Sequence, residues 1–493
     1  MRWTARKPGT ALATLFLVVF AGVAAADNIE DREWEVYTSG NASIYTSGNG
    51  ELAERLLLGM HALHESIPVV PGIGQAIVDL PVELFVFPKR SDMTKLGFGR
   101  KMMTSGRSGF RKRTIVVRDW RDISELELVF RLYAHFLLDS QPSAKLPFWF
   151  HQGIAEFMIA LEIHDGALEM GFLPGMYRRP FMQGPPIVMA AGTFLSAKPY
   201  QLLEDMLVGR HRLESAILVN LLLSKETQER PLEASLAAYV SLIENGADKE
   251  AAIEAATGVN LDPWVSTLRH HRFVPRKMEI PDLMDTYEPS VRAVARHEIA
   301  LKLGEIALGQ DDHDRASRWF GIALQAERTR SAARRGLGRL ALKDGNVDAS
   351  REQFEAAVAL APEDIESHLD FAEFWLSLAT STDDAATRNG YLESARENLL
   401  TAWKLDKTNA EVYFQNGRVL RLTGKDPDKA IDMLEEAAFY QPGNVEILVC
   451  LADAYWQAGR HEEALAVAST IETIDHYGTY RENVRRIRGQ PNR

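Results

Sequence analysis

The sequence predicts an α+β domain followed by an all-α solenoid of stacked helix pairs, mainly helical overall. Three observations carry that expectation. A chain of 493 residues is longer than one hydrophobic core usually serves. Up to about residue 290, short β-branched or aromatic runs bounded by Gly, Pro, Asn or Asp are interspersed with stretches of helical periodicity. Beyond that point, small and large apolar residues recur with a spacing of 34. Composition sets the outer limits. With 46% hydrophobic and 25% charged residues the chain is globular rather than disordered. Lys plus Arg total 56 against 68 Asp plus Glu, a net charge of −12, which argues against a nucleic-acid coat. The single cysteine, Cys450, excludes an intramolecular disulfide and any cysteine-rich metal module.

Residues 1–26 read as a secretory signal peptide. Arg2, Arg6 and Lys7 precede an apolar run from Ala11, and Ala24-Ala25-Ala26 offers a small-residue cleavage site. The run is shorter than the ~20 residues a spanning helix needs. No cysteine stands near the cut, so a lipoprotein anchor is not expected. The expected location is the periplasm or the exterior, with the chain soluble after cleavage, the alternative being an uncleaved N-terminal anchor.

Residues 27–290 form the expected α+β domain. Strands are indicated by WEVYTSG, by ASIYTSG, by PVELFVF at 81–87 and by TIVVRD at 114–119. Helices are indicated at 51–66, 124–139, 148–162, 201–223, 231–244 and 248–256. Gly97-Phe98-Gly99 and the Gly-Ser-rich stretch Ser105–Gly109 lack a phosphate-loop Lys and read as turns. Segment 100–121 holds eight basic residues against Asp119. Its cluster Arg107, Arg111, Lys112 and Arg113 is a candidate for an anionic envelope component, the alternative being a mobile, solvated hairpin.

The stretch VFRLYAHFLLDSQPSAKLPFWFHQGIAEFM at 129–158 resembles the peptidase-MA-like (gluzincin) domain of bacterial exported proteins. Active members carry His-Glu-x-x-His on one helix and a ligand carboxylate in Trp-x-x-Glu-Gly at the start of the next. Two histidines four apart share a helical face toward Zn²⁺, and the intervening Glu activates the bound water. Carried over position by position, the first histidine is Arg131, the catalytic glutamate is Leu132, the second histidine is His135 and the third ligand is Gln152. Arginine does not coordinate zinc, and leucine is no base. The resemblance therefore implies a pseudopeptidase with no catalytic residue, no metal ligand set and no cofactor. The alternative is a zinc-dependent hydrolase with rearranged ligands drawn from His135, His151, Glu156 and His164.

Residues 291–476 contain five repeat units. Units beginning at His297 and Ser331 share a Leu-Gly pair (Leu303-Gly304, Leu337-Gly338), a small residue (Ala316, Ser350), Phe (Phe320, Phe354) and Ala (Ala323, Ala357). A third unit starts near Ile365, with an insertion around Thr380–Gly390 that delays its second helix. A fourth runs from Ala410 and a fifth from Val445. Small residues let paired helices approach closely, and the Phe fills the gap to the neighbouring unit. The pattern resembles the tetratricopeptide (TPR) family, whose first helices line a concave groove that takes a protein or peptide. Counting along that groove places Arg335, Arg339, Lys343, Arg418, Arg421 and Trp456 there, with Glu305, Glu373 and Asp453. The cations are candidates for gripping a carboxylate or an acidic peptide, the alternative being a solvated face of mixed charge. Cys450 is expected to be a buried, inert thiol. Residues 477–493 read as a basic tail with a short capping helix.

Overall fold

The computed structural model describes residues 28–70, 80–98, 104–108, 110–118, 123–140, 147–164, 167–177, 189–197, 202, 207–224, 232–262, 264, 268, 271–280, 282–475 and 478–489. The signal segment expected at 1–26 lies outside them.

In chain order the α+β part contains β1 (Trp34–Ser39), β2 (Ala42–Thr46), α1 (Gly50–Ser66), β3 (Val82–Phe87), α2 (Arg90–Lys95), β4 (Thr104–Ser108), β5 (Arg113–Arg118), α3 (Ile123–Asp139), α4 (Phe148–Ile159), β6 (Leu161–His164), β7 (Ala167–Met170), α5 (Ala191–Ser196), α6 (Val208–Ser224), α7 (Leu232–Glu244), α8 (Lys249–Thr257), β8 (Arg276–Met278) and β9 (Ser290–Val294). Among the described residues, six strands form a mixed sheet in the order β4-β5-β3-β2-β1-β9, and β6-β7-β8 form a small antiparallel sheet. The pairs β2–β3 and β3–β5 are parallel, while β1–β2, β1–β9 and β4–β5 are antiparallel.

The central strand β3 reads Val-Glu-Leu-Phe-Val-Phe and is buried throughout. Such a run is what a strand covered on both faces requires. Its alternation sends Val82, Leu84 and Val86 into a core with α1, α3, α4 and α6. Phe85 and Phe87 point the other way, into a second core with Trp34, Val36, Val116, Ile299, Leu303, Trp319 and Phe320. The second face of the sheet is thus covered by the first helix pair of the solenoid. Polar contacts reinforce the junction: Trp319 Nε1 donates to Glu30 (3.1 Å), Arg318 pairs with Glu30, and Lys302 Nζ donates to Glu83 (2.5 Å). Strand β9, four of whose five residues are exposed, joins the sheet beside β1 and carries it past the boundary expected at 290.

Five helix pairs follow: α9 (Arg296–Gly309) with α10 (His313–Ala323), α11 (Glu327–Lys343) with α12 (Val347–Leu360), α13 (Ile365–Ser381) with α14 (Ala385–Leu405), α15 (Ala410–Thr423) with α16 (Pro427–Tyr440), and α17 (Val445–Gln457) with α18 (His461–Ile474). A Cβ on Gly338 would reach the Phe354 ring at 2.9 Å, so only glycine admits that approach. Gly345, Gly424 and Gly459 take left-handed φ of +76°, +63° and +77° at the turns inside three pairs, where a side chain would be strained. The insertion expected to delay the third unit's second helix is absorbed mostly as helix: α13 (17 residues) runs to Ser381 and α14 (21 residues) begins at Ala385, leaving 382–384 between them. In the tail, α19 (Arg481–Ile487) buries Val484 and Ile487 against the last pair.

Two other expectations change. The Gly-Ser stretch read as a turn forms β4, because the β5 backbone pairs with it from Thr104 to Ser108. The helix expected to run to 162 stops at Ile159, and Leu161 begins β6, whose partner is β7.

Candidate functional site

The gluzincin-like positions fall on α3 and α4. Arg131 is almost fully buried and donates from Nε to Glu156 Oε1 (2.6 Å) and from Nη2 to Glu156 Oε2 (2.8 Å). Burial opposes the guanidinium charge, but Glu156 outweighs it and drives the Arg131 pKa further up. A fixed cation therefore stands at the first-histidine position, bonded to a carboxylate from the facing helix. Gln152 accepts from Arg212 Nε at 3.2 Å. The His135 and His151 rings lie parallel, 5.5 Å between centroids with a 2° interplanar angle, and His151 Nε2 is 3.2 Å from Asp139 Oδ1. Leu132 packs at the edge of the core. These residues do not fit a zinc site of the gluzincin kind. The rearranged set does not converge either, since Glu156 is taken by Arg131 and His164 pairs with Glu162 on β6. Among the described residues no group of three or more His, Cys, Asp or Glu is placed to hold a metal ion.

Helix α6, which packs against α4, also carries buried ionisable groups. Burial pushes Glu214 up to about 7, against a hydrogen bond from the Met189 backbone N–H. Burial also lowers His211 to about 4, and its ring stacks on Phe148.

The second candidate is the concave face of the solenoid. It is occupied, and by the same chain. The β4–β5 hairpin turns at Phe110, Arg111 and Lys112, and these three side chains enter the groove. Arg111 makes a bidentate contact to Glu411, Nε to Oε2 at 2.9 Å and Nη2 to Oε1 at 3.0 Å. Its Nη2 also reaches Asp370 Oδ1 at 2.9 Å, and Nη1 lies 3.7 Å from Glu366. Lys112 Nζ donates to Glu305 (2.6 Å) and Glu83 (2.8 Å). The Phe110 ring packs on Phe414, centroids 4.9 Å apart, while its carbonyl accepts from Gln441 Nε2 at 2.6 Å.

These contacts set the electrostatics. Burial works to raise the Asp370 carboxyl, but Arg111, Arg339 and Arg335 outweigh it and hold it well below the usual carboxylate range. Glu305 is likewise pulled down, to about 2, by Lys112, Lys302 and Arg339 against its burial. For Glu411, burial prevails over Arg111 and its pKa is raised.

The residues expected to grip an acidic ligand are placed as follows. Arg335 is buried and pairs with Glu366 (2.5 Å) and Asp370 (3.3 Å). Arg339 approaches Asp370 at 3.9 Å, Lys343 pairs with Asp311, and Arg418 pairs with Glu373. Arg421 lies against the buried Cys450, whose thiol burial pushes up. Trp456 is partly exposed, its ring 4.3 Å from that of His461. Internal acids thus already pair with much of this cation row. Of the hairpin cations, Arg111 and Arg113 face groups of the same chain. Arg111 is held by three acids, and Arg113 is buried over the Phe136 ring at 5.2 Å with Ser140 as a hydrogen-bond partner. Counting along the groove found Glu305 and Glu373 but missed Glu366, Asp370 and Glu411, which lie on the same first helices outside the counted positions.

Comparison with known proteins supports the solenoid. Tetratricopeptide-repeat models match residues 301–365 and 421–476. A thermophilic TPR protein of Thermus thermophilus is similar at 27% identity over 39% of this chain and 97% of that one, TM-score 0.35. A tetratricopeptide repeat protein from Parabacteroides merdae is similar at 11% identity over 52% and 87%, TM-score 0.32. No curated protein matches the chain. The C-terminal region therefore carries tetratricopeptide repeats, which suggest a protein–protein interaction scaffold.

Proposed function

We propose that the protein is an exported, non-catalytic interaction scaffold: a pseudopeptidase domain joined to a TPR solenoid that binds a protein or peptide. The gluzincin resemblance of α3 and α4 makes the facing sides of these two helices the place to look for chemistry. The observation that carries the non-catalytic reading is the buried Arg131–Glu156 pair. A guanidinium there repels a dication and consumes the carboxylate best placed to replace a lost ligand. With these side chains so engaged, the repeats are the functional module. Residues 1–26 support release to the periplasm or the exterior.

The test is the zinc content of the mature protein, purified without chelator or polyhistidine tag, beside His135→Ala. The expected result is substoichiometric zinc, unchanged by the substitution. Equimolar zinc lost with His135 would replace this reading by that of a zinc hydrolase. A companion variant, Arg131→His with Leu132→Glu and Gln152→Glu, should gain zinc if the helix pair keeps gluzincin geometry.

A further inference from the structure

The contacts of the hairpin tip define what the groove recognises. An arginine is held bidentately by Glu411 and again by Asp370, a lysine by Glu305, and an aromatic ring by Phe414. A backbone carbonyl is bound by Gln441, the kind of main-chain contact that an extended peptide offers. The groove is larger than its occupant. A cavity of about 530 Å³ opens on one side of the tip, between Lys112, Glu305, Arg339 and Asp370. Another of about 470 Å³ opens on the other side, lined by Phe110, Ile365, Leu369, Asn409 and Tyr440. Three residues thus bridge a channel with room for more residues on either side.

We propose that the concave face is a receptor for an extended basic segment of a partner protein, read as aromatic-Arg-Lys, and that Phe110-Arg111-Lys112 is a built-in stand-in for that segment. The proposal rests on the scaffold reading and adds the partner's chemistry, which is basic where the cation row alone suggested acidic. Acidic side chains select the ligand: a bidentate guanidinium–carboxylate contact carries both energy and geometric specificity. The tethered tip competes at an effective concentration on the order of millimolar or above. A segment with affinity of about 10 μM for an emptied groove then binds the intact chain roughly a hundredfold more weakly. The partner must displace the tip, or arrive with further contacts in the flanking cavities.

The experiment uses full-length mature protein and a labelled synthetic peptide of this chain's residues 107–114 as probe. Fluorescence anisotropy compares the intact protein with a variant carrying Phe110→Gly, Arg111→Ser and Lys112→Ser. The expected result is at least tenfold tighter binding by the variant, abolished by adding Asp370→Asn and Glu411→Gln. A peptide with Glu in place of both central basic residues should not bind. If the triple variant fails to fold, Arg111→Ala, which removes only the bidentate anchor, carries the same comparison. Equal affinity for intact and emptied protein, or preference for the acidic peptide, overturns the proposal. Such a failure leaves the scaffold reading standing, whereas equimolar zinc removes that reading without touching the peptide result.

Discussion

Replacing Arg131 by methionine removes one member of a buried ion pair and leaves Glu156, which is 1% exposed, without its two strongest donors. Each charge-assisted hydrogen bond contributes about 1.5–3 kcal/mol. An orphaned buried charge typically costs about 3–5 kcal/mol in total. The hydrophobic stem of Arg131 is largely retained by methionine, so lost packing adds little. At roughly 2–4 °C per kcal/mol for a domain of this size, the unfolding midpoint should fall by about 6–20 °C. Urea unfolding followed by far-UV circular dichroism, with a thermal scan alongside, measures both quantities. The diagnostic comparison is Arg131→Met with Glu156→Leu, which removes both charges and should recover most of the loss, because apolar replacement of a whole buried pair is often neutral. A single variant within about 1 kcal/mol of the parent, or a double variant as unstable as the single, would refute the assignment of a desolvated pair between α3 and α4.

Other consequences can be tested in the same way. Glu214, raised to about 7 by burial, contributes stability that is full below its unfolded value near 4.5 and is lost as pH rises through about 7. Glu214→Gln should therefore gain stability relative to the parent at pH 8 and little at pH 4.5; an equal effect at both pH values contradicts it. The groove has the opposite sign. Asp370 and Glu305 are depressed, so the stability they supply is full above their unfolded values and fades as pH falls below about 4.5 toward about 2; Glu411, raised by burial, partly offsets this. Hydrogen exchange of 104–118, corrected for its intrinsic pH dependence, should accelerate at pH 3 relative to pH 6, and unchanged protection would count against charge-held docking. At the far end of the solenoid, Gly443 sits where a Cβ would strike the Asp139 carbonyl at the end of α3. Gly443→Val should force that contact open and raise proteolytic sensitivity near 441–444, with little change in helical content.

Much of this architecture is legible in the sequence because packing leaves local marks. The Leu-Gly pairs and the phenylalanines of the first two units are sequence traces of helix pairs that touch, and the continuous apolar run of β3 marks a strand covered on both faces. Elements held mainly by non-local pairing leave weaker marks. Strand β4 contains Ser, Gly, Arg and Ser, and owes its conformation to the β5 backbone beside it. Strand β9 is short and largely exposed, and Val291 of its Ser-Val-Arg-Ala-Val run stays in solvent, so no buried face marks it. The candidate site divides in the same way. The departure from the gluzincin pattern that α3 and α4 resemble shows at Arg131 and Leu132 directly. The partner of Arg131, however, is a glutamate 25 residues away, and Arg111 meets acids 259 and 300 positions later. A cation row on repeat helices looks like an anion receptor until the folded chain brings its own carboxylates and its own hairpin into the groove.

The docked hairpin is the feature on which the account turns, and zero-length carbodiimide cross-linking of the unmodified protein tests it most directly. Lys112 Nζ lies 2.6 Å from Glu305 Oε2, near enough for the activated carboxylate to form an amide with the amine without a spacer. Peptide mass spectrometry should find Lys112 joined to Glu305, with the yield falling when the basic peptide is added to compete. Glu305 captured by an added small amine and Lys112 left unlinked, in folded protein, would show that the tip does not occupy the groove.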